Sequence, residues 1–253
     1  MDTMEQRRNA IVEFINEKGN ITFAQLEKRF PNVSQMTLRT DLKALDELRK
    51  IVRVHGGAKS VEVVLGTDDY IGQRAVRNVE EKESIAKKAL KFIRPNITVF
   101  LDSGSTTTAL ARIWPDQPDF IFTSSIVCAA ELSKLKNPTV FIVGGKLNKY
   151  SMSVCGLQAI ESLKSVNFDL AVLGVTSYSS DSGFSCGVLM ESYLKQAALR
   201  QSAEKIVLMD SSKTGKKSTF QVCWLKEVDT VISDQNISDD FQTECEEAGV
   251  ALL

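Results

Sequence analysis

Six short apolar runs, which alternate with helical stretches between residues 98 and 233, restrict the fold of this chain more than any other feature. The runs read T-V-F-L, F-I-F-T, T-V-F-I-V, D-L-A-V-L-G-V, K-I-V-L-M and T-V-I-S. Continuous apolar strands that are separated by helices are typical of a parallel sheet with helices on both faces. The pattern therefore predicts an α/β domain with a mostly parallel sheet, whose ligands bind at the carboxyl ends of the strands.

Small hydroxyl residues and glycine follow nearly every predicted strand. The first strand is followed by D-S-G-S-T-T-T at residues 102–108, and a helix begins directly afterwards. Glycine allows a ligand close to the backbone, hydroxyl groups donate hydrogen bonds, and the start of a helix presents free N–H groups and a positive dipole end. This loop is therefore predicted to cradle an anion, and phosphate is the obvious candidate.

Residues from several of these loops are predicted to form one binding site for a small phosphorylated ligand, in which lysines supply the countercharge. Serine, threonine and glycine are also common in ordinary loops. However, several such loops on one edge of a sheet favour a ligand site. The predicted ligand-binding residues are Asp102, Ser103, Gly104, Ser105, Thr106, Thr107, Thr123, Ser124, Gly144, Gly145, Lys195 and Lys213.

An enzyme that acts on sugar phosphates is the alternative to a ligand-controlled protein. Asp102, Asp210, Glu191, Lys195 and Lys213 are able to do acid–base chemistry at this sheet edge. Glu191 and Lys195 stand four residues apart on a predicted helix, so an intrahelical ion pair explains them as well as a ligand contact does. The sequence gives no positive sign of turnover, and neither a catalytic residue nor a cofactor is predicted. A plain interaction scaffold is a third interpretation, which the predicted anion cradle disfavours.

Cysteine and histidine usage argues against metal and disulfide chemistry. The chain has one histidine, which nearly excludes a histidine-based triad or metal site, and no metal-binding residue is predicted. The cysteines show no C-x-x-C spacing and are predicted to be buried small side chains in a reducing compartment. They are Cys128, Cys155, Cys186, Cys223 and Cys245.

The N-terminal part predicts two short amphipathic helices on a tight turn. The first follows Thr22, which forms a capping-box pattern with Gln25. The second begins after Ser34, a predicted N-cap, and has leucines at positions 38, 42 and 45 on one side. Pro31-Asn32-Val33 separates the two helices and does not continue either of them. Two such helices, the second hydroxyl-rich at its start, are typical of a helix-turn-helix that reads DNA.

A short strand and a glycine turn follow, at Ile51 to Ala58, which is typical of a winged variant with a basic turn. A pair of solvated surface helices is the alternative interpretation, and the wing argues against it. The predicted DNA-contacting residues are Ser34, Gln35, Met36, Thr37, Arg39, Thr40 and Lys43 from the second helix, and Arg53, His55 and Lys59 from the wing.

The distribution of charge agrees with a division into a DNA-binding part and a separate body. Residues 1–60 carry 11 Lys and Arg against 8 Asp and Glu, whereas residues 61–253 carry 20 against 24. We predict a winged helix-turn-helix domain at residues 1–59, a linker at residues 60–75 and the α/β ligand-binding domain at residues 76–253. The N-terminus does not read as a signal peptide and no apolar run reaches the ~20 residues of a membrane span, so a soluble, cytoplasmic protein is expected.

Several motifs in order resemble the DeoR family of bacterial transcriptional regulators, over about residues 5 to 235. They are Val33-Ser34, Thr37-Leu38-Arg39, Asp41-Leu42, His55-Gly56-Gly57-Ala58, Arg74, Glu81-Lys82, Ile85-Ala86, residues 102–107, Gly144-Gly145, Ser151-Met152-Ser153, Gly156, Glu191 with Lys195, and Asp210-Ser211-Ser212-Lys213. The resemblance implies a sensor fold similar to ribose-5-phosphate isomerases and a phosphorylated sugar as effector. It also implies control of an operator on double-stranded DNA, usually repression of a sugar-use operon, by a homodimer or homotetramer.

The chain departs from the family pattern at both predicted sites. The family usually has two consecutive arginines in its recognition helix, whereas this chain has Arg39-Thr40. At the predicted ligand site, Ser124 replaces a common asparagine, and Val175-Thr176-Ser177 replaces a run that contains glycine. These departures imply that neither an operator sequence nor the identity of the sugar phosphate carries over from the family.

Overall fold

The computed structural model describes residues 4–48, 50–54, 56–60 and 71–253, which divide into two compact units. The boundary between the units lies between Asp69 and Tyr70. The elements of the first unit are α1 (Met4–Lys18), β1 (Asn20–Thr22), α2 (Phe23–Arg29), α3 (Gln35–Glu47), β2 (Val52–Val54) and β3 (Gly57–Lys59). Its three strands form an antiparallel sheet in the order β1-β3-β2, so the predicted wing is a hairpin to which β1 adds a third strand.

Local capping chemistry starts α2 and α3 where the sequence predicts. The Thr22 hydroxyl accepts from the Gln25 N–H, and the Gln25 side chain accepts from the Thr22 N–H at 2.8 Å, which completes the capping box. The Ser34 hydroxyl accepts from the Thr37 N–H at 3.1 Å. Because each cap satisfies a backbone donor that has no intrahelical partner, both starts are determined by residues next to one another in the chain.

A buried carboxylate joins α1 to α3 in the first unit. Asp41 is 1% exposed and accepts from Arg7 Nε at 2.7 Å and from Arg8 Nε at 2.8 Å. The apolar core of this unit is formed by residues of the three helices, of β1 and of the wing region, which are Ile11, Ile15, Ile21, Leu26, Leu38, Leu42, Leu45, Ile51 and Ala58. Close packing also explains Gly57, where a Cβ atom would overlap the carbonyl oxygen of Ile21 on the paired strand.

The second unit contains a seven-stranded parallel sheet in the order β15-β14-β12-β9-β4-β5-β6. The strands are β4 (Thr98–Leu101), β5 (Phe120–Thr123), β6 (Thr139–Ile142), β9 (Phe168–Gly174), β12 (Ser202–Leu208), β14 (Thr230–Ile232) and β15 (Ala251–Leu252). The first six correspond to the six apolar runs, so the predicted α/β fold with a parallel sheet is confirmed. The chain runs outward from β4 to β6 and then returns to the other side of β4 with β9. The ends of β4 and β9 therefore form a topological switch point.

Helices cover both faces of this sheet, as continuous apolar strands require. They are α4 (Ile71–Ala75), α5 (Val79–Ala89), α6 (Ser105–Arg112), α7 (Ile126–Leu132), α8 (Leu157–Leu163), α9 (Leu189–Arg200) and α10 (Asp239–Ala248). One core lies between the sheet and α5, α6 and α7, and a second lies between the sheet and α8, α9 and α10. Helix α5 is α-helical to Ala89 and ends in a 3-10 turn at Leu90–Phe92.

The sequence pattern did not predict several short strands. The missed strands are β7 (Lys146–Asn148), β8 (Ser153–Cys155), β10 (Ser177–Ser179), β11 (Gly183–Cys186), β13 (Phe220–Cys223) and β15. Strands β7 and β8 form a two-stranded antiparallel sheet, and β10, β11 and β13 form a three-stranded antiparallel sheet. Strands of two to four residues, many of them serine, are too short to show an alternating pattern, so only their pairing with distant segments defines them.

The predicted linker at residues 60–75 falls largely on residues 61–70, which lie outside the described residues. Its last five residues form α4, where the Ile71 N–H donates to the Tyr150 carbonyl at 2.9 Å. The five cysteines are buried and are not in disulfide bonds, as predicted. Across the described ranges, none of the helices combines the length and the apolar character that a membrane span requires.

Replacement of Asp41 by asparagine is expected to destabilise the first unit by about 1–3 kcal/mol, because two partly buried arginines lose their charged acceptor. Hydrogen exchange of the α3 amides measures this change. The control is Glu47→Gln, whose side chain is 67% exposed and pairs with Lys43 at 3.9 Å, a contact worth about 0.2–1 kcal/mol at most. Equal amide protection in the two variants would contradict a structural role for Asp41.

Candidate functional site

The exposed side of α3 carries most of the residues that were predicted to contact DNA. Met36 is 76% exposed, and Arg39, Thr40 and Lys43 are exposed on the side opposite the buried leucines. The hydroxyl groups of Ser34 and Thr37 form a hydrogen bond with each other at the start of the helix, with 2.8 Å between their oxygen atoms. The resulting surface is polar and positively charged, and Met36 adds an apolar side chain to it.

Arg39 is oriented by a contact with the preceding helix. Its guanidinium lies over the ring of Phe23, with 4.8 Å between Cζ and the ring centroid. A cation above an aromatic face is stabilised by about 0.5–1 kcal/mol at an exposed site. The contact therefore restricts the rotamers of Arg39 while its donors stay accessible.

The wing residues lie at different distances from the turn of the hairpin. Arg53 is exposed on β2, and its backbone N–H donates to Asp46 Oδ1 at 3.0 Å, which ties the wing to α3. Lys59 is half-buried at the far end of β3. The predicted residue His55 lies outside the described residues.

At the switch point of the second unit, a buried ion pair joins α9 to the ends of β4 and β9. Lys195 Nζ contacts the Asp102 carboxylate and also donates to the Gly174 carbonyl at 2.9 Å. The same Asp102 oxygen accepts from the Gly174 N–H at 3.1 Å. Asp102 and Lys195 are 2% and 4% exposed. The charge of Lys195 is thus already compensated within the protein.

Burial and the ion pair act in opposite directions on Lys195. Desolvation lowers the pKa of Lys195, but the adjacent Asp102 carboxylate, together with Cys186 and Glu191, outweighs it and raises this pKa above its ordinary value. Lys195 therefore stays protonated inside the protein. Lys195 forms its ion pair with Asp102, whereas Glu191 accepts from Ser151 and Ser153, so the interpretation of Glu191 and Lys195 as an intrahelical ion pair is wrong.

The loop after β4 leads directly into α6. Gly104 precedes the helix with a φ of 153°, and a side chain at this position would be strained. The hydroxyls of Thr107 and Thr108 donate back to the Gly104 carbonyl at 3.0 and 2.6 Å, so they stabilise the loop itself. The first N–H groups of the helix have no acceptor within it, and Ser105 is half-buried among them. This is the arrangement that binds anions at helix starts.

The next two strands contribute the other predicted residues to the same sheet edge. The Thr123 hydroxyl accepts from the Ser125 N–H at 3.0 Å, and the Ser124 carbonyl accepts from the Val154 N–H at 2.7 Å. Gly145 has a φ of 144°, and a Cβ atom there would lie 2.6 Å from the Cys155 carbonyl oxygen. Glycine is thus required where β8 passes close to the segment after β6.

Lys213 lies on a 3-10 turn after β12, and this turn is held by Asp210. The Asp210 carboxylate accepts from the Ser212 N–H at 3.2 Å and from Asn78 Nδ2 at 3.0 Å. Asn78, the residue before α5, has a left-handed backbone with a φ of 50°. Its contact with the loop after β12 was not predicted, because the two residues are 132 positions apart.

Two further residues near this edge have unusual environments that the sequence does not reveal. Lys82 donates to the carbonyl oxygens of Arg74, at 2.5 Å, and Arg77, and burial lowers the pKa of Lys82 to about 8 although Asp210 opposes the shift. Cys128 lies below the 102–108 loop, 3.6 Å from the Thr108 hydroxyl, and burial raises the pKa of its thiol. Lys82 holds the segment before α5, and Cys128 packs as a neutral side chain.

Comparisons with known proteins agree with both units. Residues 7–64 match the family model of the DeoR-like helix-turn-helix domain, and residues 77–235 match that of the DeoR C terminal sensor domain. The chain belongs to the DeoR family of HTH-type transcriptional regulators. It is accordingly a regulator of transcription and not an enzyme, which decides between the two main interpretations of its sequence.

The curated relatives match along nearly their whole length. The HTH-type transcriptional regulator GolR of Listeria innocua is 30% identical, over 98% of this chain and 97% of its own. The lactose phosphotransferase system repressor of Staphylococcus epidermidis is 30% identical, over 91% of this chain and 92% of its own. A solved D-ribose-5-phosphate isomerase in complex with phospho-erythronic acid has a TM-score of 0.40 and 18% identity over 54% of each chain, a likeness too remote to bear on the ligand.

Single replacement of Lys195 by methionine is expected to destabilise the second unit by about 3–5 kcal/mol, because Asp102 stays buried without its partner. The double variant Asp102→Asn with Lys195→Met is expected to be more stable than the single Lys195→Met variant. Urea unfolding followed by tryptophan fluorescence measures these differences, since both tryptophans lie in this unit. Additive effects of the two replacements would show that the pair contributes no interaction energy.

Proposed function

We propose that this protein is a sequence-specific repressor of a sugar-utilisation operon, and that a phosphorylated sugar controls its affinity for DNA. The observation that carries the proposal is the start of α6, which lies beside the Asp102–Lys195 pair at the switch point of the sheet. The same chain contains a winged helix-turn-helix. A helix start with Gly104 and several hydroxyls suits a phosphate group, and the polar sheet edge suits sugar hydroxyls. The name of the lactose phosphotransferase system repressor supports a link to sugar uptake.

The proposed DNA contacts lie on α3 and on the wing. Gln35, Met36, Arg39, Thr40 and Lys43 are proposed to face the major groove, because the exposed side of a recognition helix reads base edges. Met36 is suited to contact a thymine methyl group, since it is apolar and exposed. Ser34 and Thr37 lie at the helix start, and the wing residues Arg53, His55 and Lys59 are proposed to lie along the phosphate backbone.

Replacement of Arg39 by alanine is expected to reduce operator affinity by about 1–3 kcal/mol if the guanidinium contacts a base, or to lower the salt slope by about one if it contacts a phosphate. Fluorescence anisotropy on DNA from upstream of the protein's own gene cluster measures both quantities. Phe23→Leu keeps the charge but removes the ring below it, so a smaller loss is expected.

A matched control for this experiment is Arg29→Ala. Arg29 is an exposed arginine on α2 whose Cζ lies 5.9 Å from the ring centroid of Phe30, so it has a similar environment outside the recognition helix. Unchanged affinity and salt dependence in the Arg39 variant would show that α3 does not present this residue to DNA.

The effector is tested by titration of the protein–DNA complex with pentose and hexose phosphates, and with the same sugars without phosphate. One phosphorylated sugar is expected to release the DNA, and its unphosphorylated form is expected to have no effect. Ser105→Asp is expected to abolish this response, because a carboxylate at the start of α6 repels phosphate although it favours the helix. Ser105→Asn is the neutral control. A full response in the aspartate variant would exclude the start of α6 as the phosphate site.

The active form is proposed to be a homodimer or a higher homo-oligomer, because recognition helices of this class bind paired half-sites. One feature that supports self-association is the edge strand β6, which carries no charged residue. Phe141 and Ile142 on it and Phe120 beside it are 41%, 50% and 50% exposed. Uncharged apolar edge strands are a known basis for pairing between chains. Sedimentation of the full chain tests this proposal, and a monomer in the presence of operator DNA would contradict it.

A further inference from the structure

The hairpin of β7 and β8, residues 146–155, is held in place by one buried carboxylate. Glu191 is 5% exposed, and its Oε1 accepts from three donors of this hairpin: Ser153 Oγ at 2.5 Å, Ser151 Oγ at 2.7 Å and Asn148 Nδ2 at 3.0 Å. Hydrogen bonds to an ionised acceptor are stronger than those between neutral groups. With three of them on one oxygen, Glu191 is a side-chain anchor of the hairpin.

The hairpin has little apolar burial to define its position. Its two strands have three residues each and form a two-stranded sheet, an arrangement that is marginal by itself in water. Outside this sheet, Ser153 forms a single β-bridge with Ser125, and the Met152 carbonyl accepts from the Ile126 N–H at 3.0 Å. Leu147 on β7 is 42% exposed, and the apolar burial of the hairpin comes mainly from Val154 and Cys155. Polar contacts therefore decide where this hairpin lies.

Through Glu191, the hairpin is connected to the proposed effector site. Lys195, which holds Asp102 and Gly174 at the switch point, follows Glu191 by one turn on α9. On its other side the hairpin contacts the segment after β5, where Val154 N–H donates to the Ser124 carbonyl at 2.7 Å. The hairpin is thus in contact with both parts of the proposed effector site, through α9 and through Ser124.

The hairpin also contacts the first described residue of the second unit. The Tyr150 carbonyl, at the turn of the hairpin, accepts from the Ile71 N–H at 2.9 Å. Ile71 begins α4 and follows the boundary between the two units at Asp69 and Tyr70. The hairpin thus contacts the start of α4, which is the first part of the sensor unit that the structure describes.

We propose that Glu191 is a positioning residue that couples effector binding to DNA binding, by holding the β7–β8 hairpin against Ile71. An effector at the start of α6 and at Ser124 changes the position of the hairpin, and the hairpin changes the attachment of α4. Glu191 itself contacts neither DNA nor the phosphate. This inference rests on the proposed function, since it assumes that a ligand at this sheet edge alters DNA affinity.

The experiment compares wild type with Glu191→Gln in three quantities. These are the effector affinity of the protein alone, the DNA affinity without effector, and the factor by which saturating effector changes DNA affinity. In wild type this factor is expected to lie between about 5 and 150. In Glu191→Gln we expect it to fall close to one, while each of the two separate affinities changes by less than about threefold. A residue with only a structural role would lower both affinities together.

Two other variants keep the experiment decisive. Ser151→Ala with Ser153→Ala removes two of the three donors from the hairpin side and leaves α9 intact, so the same loss of coupling is expected even if Glu191→Gln folds poorly. Glu244→Gln is the matched control, because Glu244 accepts from the Tyr178 hydroxyl in another part of the sensor unit. This control is expected to retain the full coupling factor.

Hydrogen exchange at the Ile71 amide provides a measurement that needs neither DNA nor effector. Faster exchange of this amide in Glu191→Gln and in the double serine variant is expected, with no change in Glu244→Gln. Unchanged exchange, or an unchanged coupling factor, would overturn the proposed role of Glu191. If wild type itself shows no effector response, the proposed function fails instead, and the exchange result still decides whether Glu191 positions the hairpin.

Discussion

The buried ion pair between Asp102 and Lys195 is the interaction on which the geometry of the sensor unit depends. Removal of two charges from water is costly, and it is offset only where geometry is good and the remaining polar groups are satisfied. Here both conditions are met, because Lys195 also reaches the Gly174 carbonyl and Asp102 also accepts from the Gly174 N–H. The ends of β4 and β9 and the helix α9 are thereby held together at the switch point of the sheet.

The DNA-binding unit also contains a buried carboxylate with basic partners, and there it orients the recognition helix. Asp41 is a buried carboxylate on the recognition helix, and two consecutive arginines of α1 compensate its charge. Because the carboxylate faces inward, α3 is held at a defined angle while Met36, Arg39 and Lys43 remain exposed. In each unit, a buried acid therefore orients the helix or loop that carries the proposed function, and the functional side chains themselves need few internal contacts.

Much of the fold was predictable because it follows from neighbouring residues. The six apolar runs became six strands of the parallel sheet, and Thr22 and Ser34 cap the helices that follow them. The loops of the candidate site were predictable for the same reason, since strand ends in a parallel sheet share one edge. The short strands and the hairpin around Ser151 and Ser153 were not predictable, because their local sequence has neither an apolar period nor a turn signal of its own.

Hydrophobic periodicity, capping residues and glycine turns already specified a winged helix-turn-helix and an α/β body, since each of these signals acts over a few residues. Side-chain partners across the fold were decided by the tertiary structure alone. Lys195 and Glu191 are one helical turn apart, yet they contact Asp102, 93 positions away, and Ser151, 40 positions away. Local sequence allowed an ion pair between them as readily as a ligand contact. The tertiary structure instead gives each one a separate partner, because Asp102 follows β4 of the main sheet and Ser151 belongs to the β7–β8 hairpin. Such contacts between distant segments are not encoded by any local pattern.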